Sequence, residues 1–569
     1  MAQIPFIPNA YGHGRSKAFE TQRFINLFPE ISSGPNGKSI AALVGTPGLR
    51  LWHQGTSGPV RASMGFNGLC YVVKSNKLIS ITADGLSELE IGTLQTSTGR
   101  VSMKNNGLAS TGIGGNQICI VDGVAGYIYN VSTGIFSTIS GGGFPTTPLQ
   151  VEYIDSYFVV TDGSMSSWTS NIFDGTIWNA LTKNPVQAAP DTIQKPVNLH
   201  QQLFFIKQYT TEVYYNTGTS TSLGSPFSRV PGAVIDYGTN APWSVARGNN
   251  SIFFLATQRQ DEAGEFVGVV ELNGYVPTLI TPPSIVFRMS QSSDLTQCFG
   301  YFYYAEGHNF YVLTNPIDNW TFVYDASTQM WHERSTTDSF SSDINRHLGN
   351  SYVFFNNMHL VGDLYTSNIY EMSSQFYTDA GEPIISEQTT QHLYDKNDLD
   401  NIFIGQLQID IEAGVGSDNV NSPATAIASI NSSGQVDSCT IIYNGADYTE
   451  VPIVILRSVD GAGTGATATA IVSSGSIVSV TITNGGAGYT RAPEVIFAIS
   501  EIIPSAGLSI SRDGGRTWGN EHIRSMGKVG EYRKRLLWRS VGHARDKVFK
   551  LKISSPVKKM ILGYYVSPA

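Results

Sequence analysis

Apolar residues in this chain come in short runs of Val, Ile, Phe and Tyr, divided by turn residues, and that rhythm predicts strands joined as hairpins. Seven such runs begin at Tyr71 (YVVKSNKLISIT), Ile118, Tyr157, Leu203, Ile252, Tyr311 and Tyr352. Successive starts lie 47, 39, 46, 49, 59 and 41 residues apart. A four-stranded propeller blade takes roughly 40–50 residues, because each unit hides its apolar faces against its neighbours. The expected fold is all-β, with a β-propeller of six blades, or alternatively seven, over residues 56–385. Unrelated β-sandwich hairpins would give similar spacing.

A sharper repeat runs from about Ser422 to Phe497. Gly434, Tyr448 and Pro452 recur as Gly475, Tyr489 and Pro493 at an offset of 41 residues. Alternating apolar positions around a Ser-Gly turn describe two small β units with no cluster of reactive side chains. Their flanks have the Gly, Ser, Asn and Pro content of insertion boundaries, so residues 416–499 read as an inserted, duplicated β domain on the surface.

Composition narrows the class further. Of 569 residues (61.6 kDa), 14% are charged, 41% hydrophobic and 11% aromatic, a balance that builds a large core and argues against disorder. Cys70, Cys119, Cys298 and Cys439 are too scattered for a zinc ribbon or a disulfide framework. The first residues carry prolines and charges in place of an apolar run, which suggests synthesis in a cytoplasm without a signal peptide. Residues 123–151 lack charge, but Gly, Ser and Thr interrupt them too often for a membrane-spanning helix.

Charge divides the chain unevenly. Residues 512–569 hold 14 Lys/Arg against 4 Asp/Glu, a balance of +10, so the other residues carry −19 within the total of −9. Arg533, Lys534, Arg535, Arg539, Arg545 and Lys547 are the candidate contacts, either with nucleic-acid phosphates or with an acidic protein partner. The alternation in VFKLKI equally fits a strand with a solvated basic face.

No catalytic signature is present. The chain lacks H-E-x-x-H, G-x-x-x-x-G-K-[ST] and G-x-S-x-G, so neither an enzyme, a metal site nor a cofactor is expected. Ser511-Arg512-Asp513-Gly514-Gly515-Arg516-Thr517-Trp518 fits the S-x-D-x-G-x-T-W pattern of an Asp-box. Ser511, Asp513, Gly515, Thr517 and Trp518 are expected to build a structural turn. Such turns recur in sialidase-like propellers, so a carbohydrate-active or glycan-binding propeller is the alternative function.

Longer stretches resemble the packaged-DNA stabilisation proteins, the tail hub or nozzle of short-tailed bacteriophages. FINLFPE at Phe24–Glu30, GTPGL at Gly45–Leu49, GRVSM at Gly99–Met103 and VYDAST at Val323–Thr328 are similar to family segments. So is Ser511–Met560, with its K-R-x-L-W-x-x-V-G-x-x-R core at Lys534–Arg545. The resemblance implies a propeller joined to a β-rich platform, with residues 1–55, 386–415 and 500–569 forming the platform. It also implies a homohexameric ring in the virion tail, below the portal and adaptor. Such a ring extends and closes the DNA channel, contacts duplex DNA non-specifically, and supports fibres, spikes or a needle.

Overall fold

The computed structural model describes residues 2–4, 15–32, 39–55, 58–108, 115–260, 263–337, 344–363, 365–395, 400–415, 424–445, 448, 451–459, 461–473, 475–498, 504–528 and 530–567. Strands dominate, and one α-helix, Pro283–Ser290, occurs among the described residues. None of their helices is long and apolar enough to cross a membrane.

Seven four-stranded antiparallel units follow one another, four as separate sheets and three within sheets that carry further strands. Their first strands are Val60–Phe66, Ser102–Asn105, Gln150–Ile154, Ile193–Leu199, Ala246–Gly248, Phe299–Ala305 and Gly349–Phe355. These strands touch from blade to blade, and Asn350 of the last donates Nδ2 to the Val60 carbonyl of the first at 2.8 Å, which closes the ring. The propeller therefore has seven blades, the alternative count, where six was preferred. Part of the seventh lies far away in sequence. Its fourth strand, Gly48–His53, pairs with Ile369–Ser373 on one side and with Thr378–Asp379 on the other, and Arg50 reaches Glu371 at 3.0 Å. A segment assigned to the platform thus completes the propeller and ties its two ends together.

Burial explains the rhythm of the sequence. The second strands, such as Gln117–Val121 and Tyr157–Thr161, are buried at every position because they are covered on both faces by adjacent blades. Outer strands such as Glu88–Thr93 and Ile135–Thr138 are largely exposed.

The sixth blade does not end at its fourth strand. Met330–Glu333 pairs in parallel with Arg23–Ile25, and the sheet continues through Ser386–Thr389, Val548–Ile553, Ser505–Ser511 and His522–Ser525. Facing this extension is a second sheet, built from Leu27–Ile31, Ala41–Gly45, Met560–Ser567, Ile402–Ile411 and Leu536–Ala544, with Ala2–Ile4 beside Met560–Ser567. Phe24, Leu27, Leu407, Trp538, Leu551 and Tyr564 share the core between them, which makes a β-sandwich. Propeller and sandwich are one hydrogen-bonded fabric.

The duplicated segment forms its own six-stranded sheet, but its two repeats do not fold as the separate units expected from the sequence. In sheet order the strands are Val436–Tyr443, Thr425–Ile430, Glu494–Ala498, Ile453–Arg457, Thr464–Ser473 and Ser476–Ala487. The third strand of each repeat pairs with the first strand of the other. Two reciprocal bonds repeat this symmetry: Tyr448 N donates to Gly475 O at 2.9 Å and Tyr489 N to Gly434 O at 3.0 Å. Gly434 and Gly475 both adopt positive φ, at 72° and 73°, which is why the repeat retains glycine there. A lone repeat could not cover its own hairpin, so exchange buries both.

Candidate interaction surface

Leu536–Ala544 is the edge strand of one sandwich sheet and His522–Ser525 the edge strand of the other. Two bonds close the gap between these edges. Trp538 Nε1 donates to His522 O at 2.8 Å, and Arg524 Nε to Leu537 O at 3.1 Å. The rim so formed carries the predicted cations. Arg533, Lys534 and Arg535 are exposed on the turn before Leu536–Ala544, Arg539 is exposed on the strand, and Arg545 follows it. None of these five has an ion-pair partner among the described residues. Arg524 belongs to the same rim and was missed, because it stands alone in sequence and only the pairing of the two edges brings it there. Charges along an edge also discourage unwanted strand addition.

Lys547 has to be removed from this surface. It is fully buried, donates to the carbonyls of Gly542 and Val541, and burial brings its ammonium down to about 8. VFKLKI forms the expected alternating strand, Val548–Ile553, with its apolar residues buried and Lys550 and Lys552 on a half-buried face, Lys550 lying 4.7 Å from the Trp518 ring centroid and 3.9 Å from Glu387.

The Asp-box residues come together as a turn after Ser505–Ser511, on the sandwich and outside the propeller. Asp513 accepts from Thr517 Oγ1 at 2.6 Å, Thr517 N at 2.9 Å, Arg516 N at 3.0 Å and Ser511 Oγ at 2.7 Å. Those bonds, Thr517's first, hold its carboxyl below the usual carboxylate range. Ser511 Oγ also accepts from Gly515 N at 2.8 Å. The polar side-chain atoms of Ser511, Asp513 and Thr517 bond to one another and to the loop's own backbone, as a structural turn requires. Asp513→Ala should cost about 1–2 kcal/mol, seen as a lower thermal midpoint at neutral pH, while assembly persists. Because the folded carboxyl is the stronger acid, that difference should shrink as pH falls below the unfolded value near 4.

The joint between propeller and sandwich is richer in buried charge than the sequence suggested. Glu333 accepts Arg23 through both oxygens at 2.7 Å and Arg288 at 2.7 Å. Asn26, held at φ 53°, donates to Ser335 O and Ile385 O and accepts from Ser335 N. Nearby, burial pushes Asp379 up to about 7 and brings Lys559 down to about 7.

These two groups set a pH dependence. Between roughly pH 4 and 7 the folded chain keeps the Asp379 proton that the unfolded chain has lost, so stability falls as pH rises. From 7 to roughly 10 the unfolded chain holds the Lys559 proton that the folded chain lacks, so stability rises again. The contribution of this joint is therefore lowest near neutrality. Asp379→Asn should flatten the lower limb in a plot of thermal midpoint against pH; superimposable profiles would contradict the assignment.

No group of three or more metal-ligating side chains occurs among the described residues. Cys70, Cys119 and Cys298 are buried free thiols, and Cys439 is half-buried.

Two family models match the chain: one described as bacteriophage P22 Gp10, β-propeller, over residues 2–377, and one described as bacteriophage P22 Gp10, β-sandwich, over residues 481–567. No curated protein matches. Similar solved structures include the Neurospora crassa Pan2 WD40 domain, at 9% identity over 56% of this chain and 89% of that one, with a TM-score of 0.34. Another is YCF48 bound to D1 peptide, at 9% identity over 58% of this chain and 99% of that one, with a TM-score of 0.34. The extracellular domain of the two-component system BT4673 from B. thetaiotaomicron is 9% identical over 74% of this chain and 51% of that one, with a TM-score of 0.37.

Proposed function

The chain belongs to the bacteriophage P22 Gp10 family of structural phage tail proteins, and on that premise we propose that it forms a ring in the tail that extends the DNA channel and holds the packaged genome in. Six copies, docked below the portal and adaptor, make the wall. The observation that carries this reading is the sandwich rim, where five exposed cations stand unpaired on an otherwise acidic protein. Such a rim suits an acidic partner surface, since complementary charge steers docking and fixes orientation. The acidic remainder would repel duplex DNA and keep it from sticking during ejection. A glycan-directed role gains nothing from the Asp-box, whose polar atoms are spent within its own turn.

The inserted sheet supports fibres or neighbouring tail components in this scheme. Among the described residues its six strands pair only with one another, and neither sandwich sheet includes them. Deleting residues 416–499 should leave a soluble chain that still assembles, measured by light scattering, while fibre attachment to particles is lost. Insoluble protein would contradict the accessory role. The proposal as a whole is tested by binding to a purified portal–adaptor complex: retention on the complex is expected, and free elution of both would count against it.

A further inference from the structure

Three residues from different blades meet where only the propeller axis allows it. Arg100 leads into the second blade, yet it donates Nη1 and Nη2 to Asn350 of the seventh, both at 2.9 Å, passing over the first blade. Its guanidinium lies 3.6 Å from the ring centroid of Phe299, which belongs to the sixth. Arg346, which precedes the seventh blade, approaches the same ring at 5.4 Å. Two guanidinium groups therefore share one buried aromatic ring, and each disfavours the charge of the other.

Arg346 is only 3% exposed, and both of its terminal nitrogens lack a hydrogen-bond partner. Terminal guanidinium N–H groups buried without a hydrogen-bond acceptor are costly, and burial does not neutralise the group: Arg346 is brought down to about 10 and Arg100 to about 9, so both are charged at neutral pH. Of the two groups that favour the Arg346 charge, Tyr365 and Asp363, the carboxylate of Asp363 is already engaged by Tyr365 N, Thr366 Oγ1 and Tyr370 OH. Further round the axis, Lys195 donates to the Val245 carbonyl at 3.0 Å, while Glu152 is paired with Lys104 at 2.9 Å. Arg100, Lys195 and Arg346 thus form an excess of positive charge with no carboxylate in contact.

We propose that this end of the propeller axis binds a compact inorganic oxyanion, phosphate or sulfate, between Arg346 and Arg100. A tetrahedral anion accepts several N–H bonds at once and matches the fork of a guanidinium. Bound there, it joins the second and seventh blades beside Phe299 of the sixth and reinforces ring closure from within.

The probe is inorganic phosphate, titrated calorimetrically into the full chain against chloride at equal ionic strength and pH. Saturable binding and a rising thermal midpoint are expected in phosphate alone. Arg346→Met should weaken phosphate binding at least tenfold, and Arg100→Gln gives a second reading if the first variant fails to fold. Arg229→Ala, an exposed change on the outer strand Phe227–Ile235 of the fourth blade, should bind as the parent does. The proposal is overturned if phosphate and chloride act alike, if folded Arg346→Met or Arg100→Gln chains bind phosphate as the parent does, or if Arg229→Ala abolishes the binding.

Discussion

Replacing Lys207 with methionine is expected to destabilise the propeller by about 3–5 kcal/mol and to open its fourth blade. Lys207 is fully buried, 2.9 Å from Asp191 and 2.8 Å from Glu212, which are themselves buried. Its ammonium also donates to the carbonyls of Ala189 and Val186 at 2.6 and 3.3 Å. Methionine fills much the same volume, so the loss is electrostatic: two carboxylates remain in the interior with no cation. Some of their bonds survive, since Glu212 still accepts from Ala188 N and Asp191 from Tyr209 N. Those bonds do not neutralise two like charges. The exposed pair Lys77–Glu90 has nearly the same separation, 2.7 Å, but its side chains are 41% and 49% exposed. Lys77→Met should therefore change stability by less than about 1 kcal/mol. Thermal unfolding of both variants, with hydrogen exchange across residues 193–235, measures the contrast. Equal midpoints for the two would show that burial does not govern these pairs.

The second large effect concerns assembly. Changing Arg533, Lys534 and Arg535 together to glutamate turns a local +3 into −3 on a turn that is already in solvent. Folding should be nearly untouched, because exposed substitutions away from caps and networks usually shift stability by about 0.5 kcal/mol or less. Binding to the adaptor–portal complex should fall at least about a hundredfold, chiefly through slower association, and the parent's own binding should weaken with salt. Surface plasmon resonance at two ionic strengths separates the two effects. Undiminished association of the reversed variant would remove the rim from the proposed interface.

The sequence disclosed the propeller through its second strands. Covered on both faces, they read as continuous apolar runs, and the first six of the seven run starts, from Tyr71 to Tyr311, fall on them. The seventh start, Tyr352, falls on an inner strand, and that blade's fourth strand, Gly48–His53, comes from the other end of the chain. No local pattern announces such a pairing, which is why the count stayed at six with seven in reserve. The Asp-box was legible because its bonds span four residues. Lys547 was misread because composition records a charge and not the carbonyls of Val541 and Gly542 that absorb it. The cluster at Arg100, Phe299 and Arg346 draws on positions about 250 residues apart, and only ring closure reveals it. In the duplicated insert, the period was plain while the exchange of strands was not, since both arrangements use the same alternation.

The most direct test of the central claim is the mass of the particle formed when the purified chain is mixed with the proposed partner, an adaptor–portal complex. Assembly as a shared channel wall predicts a stable complex enlarged by six copies of a 61.6 kDa chain. A chain that stays monomeric and leaves the mass of the complex unchanged would contradict it.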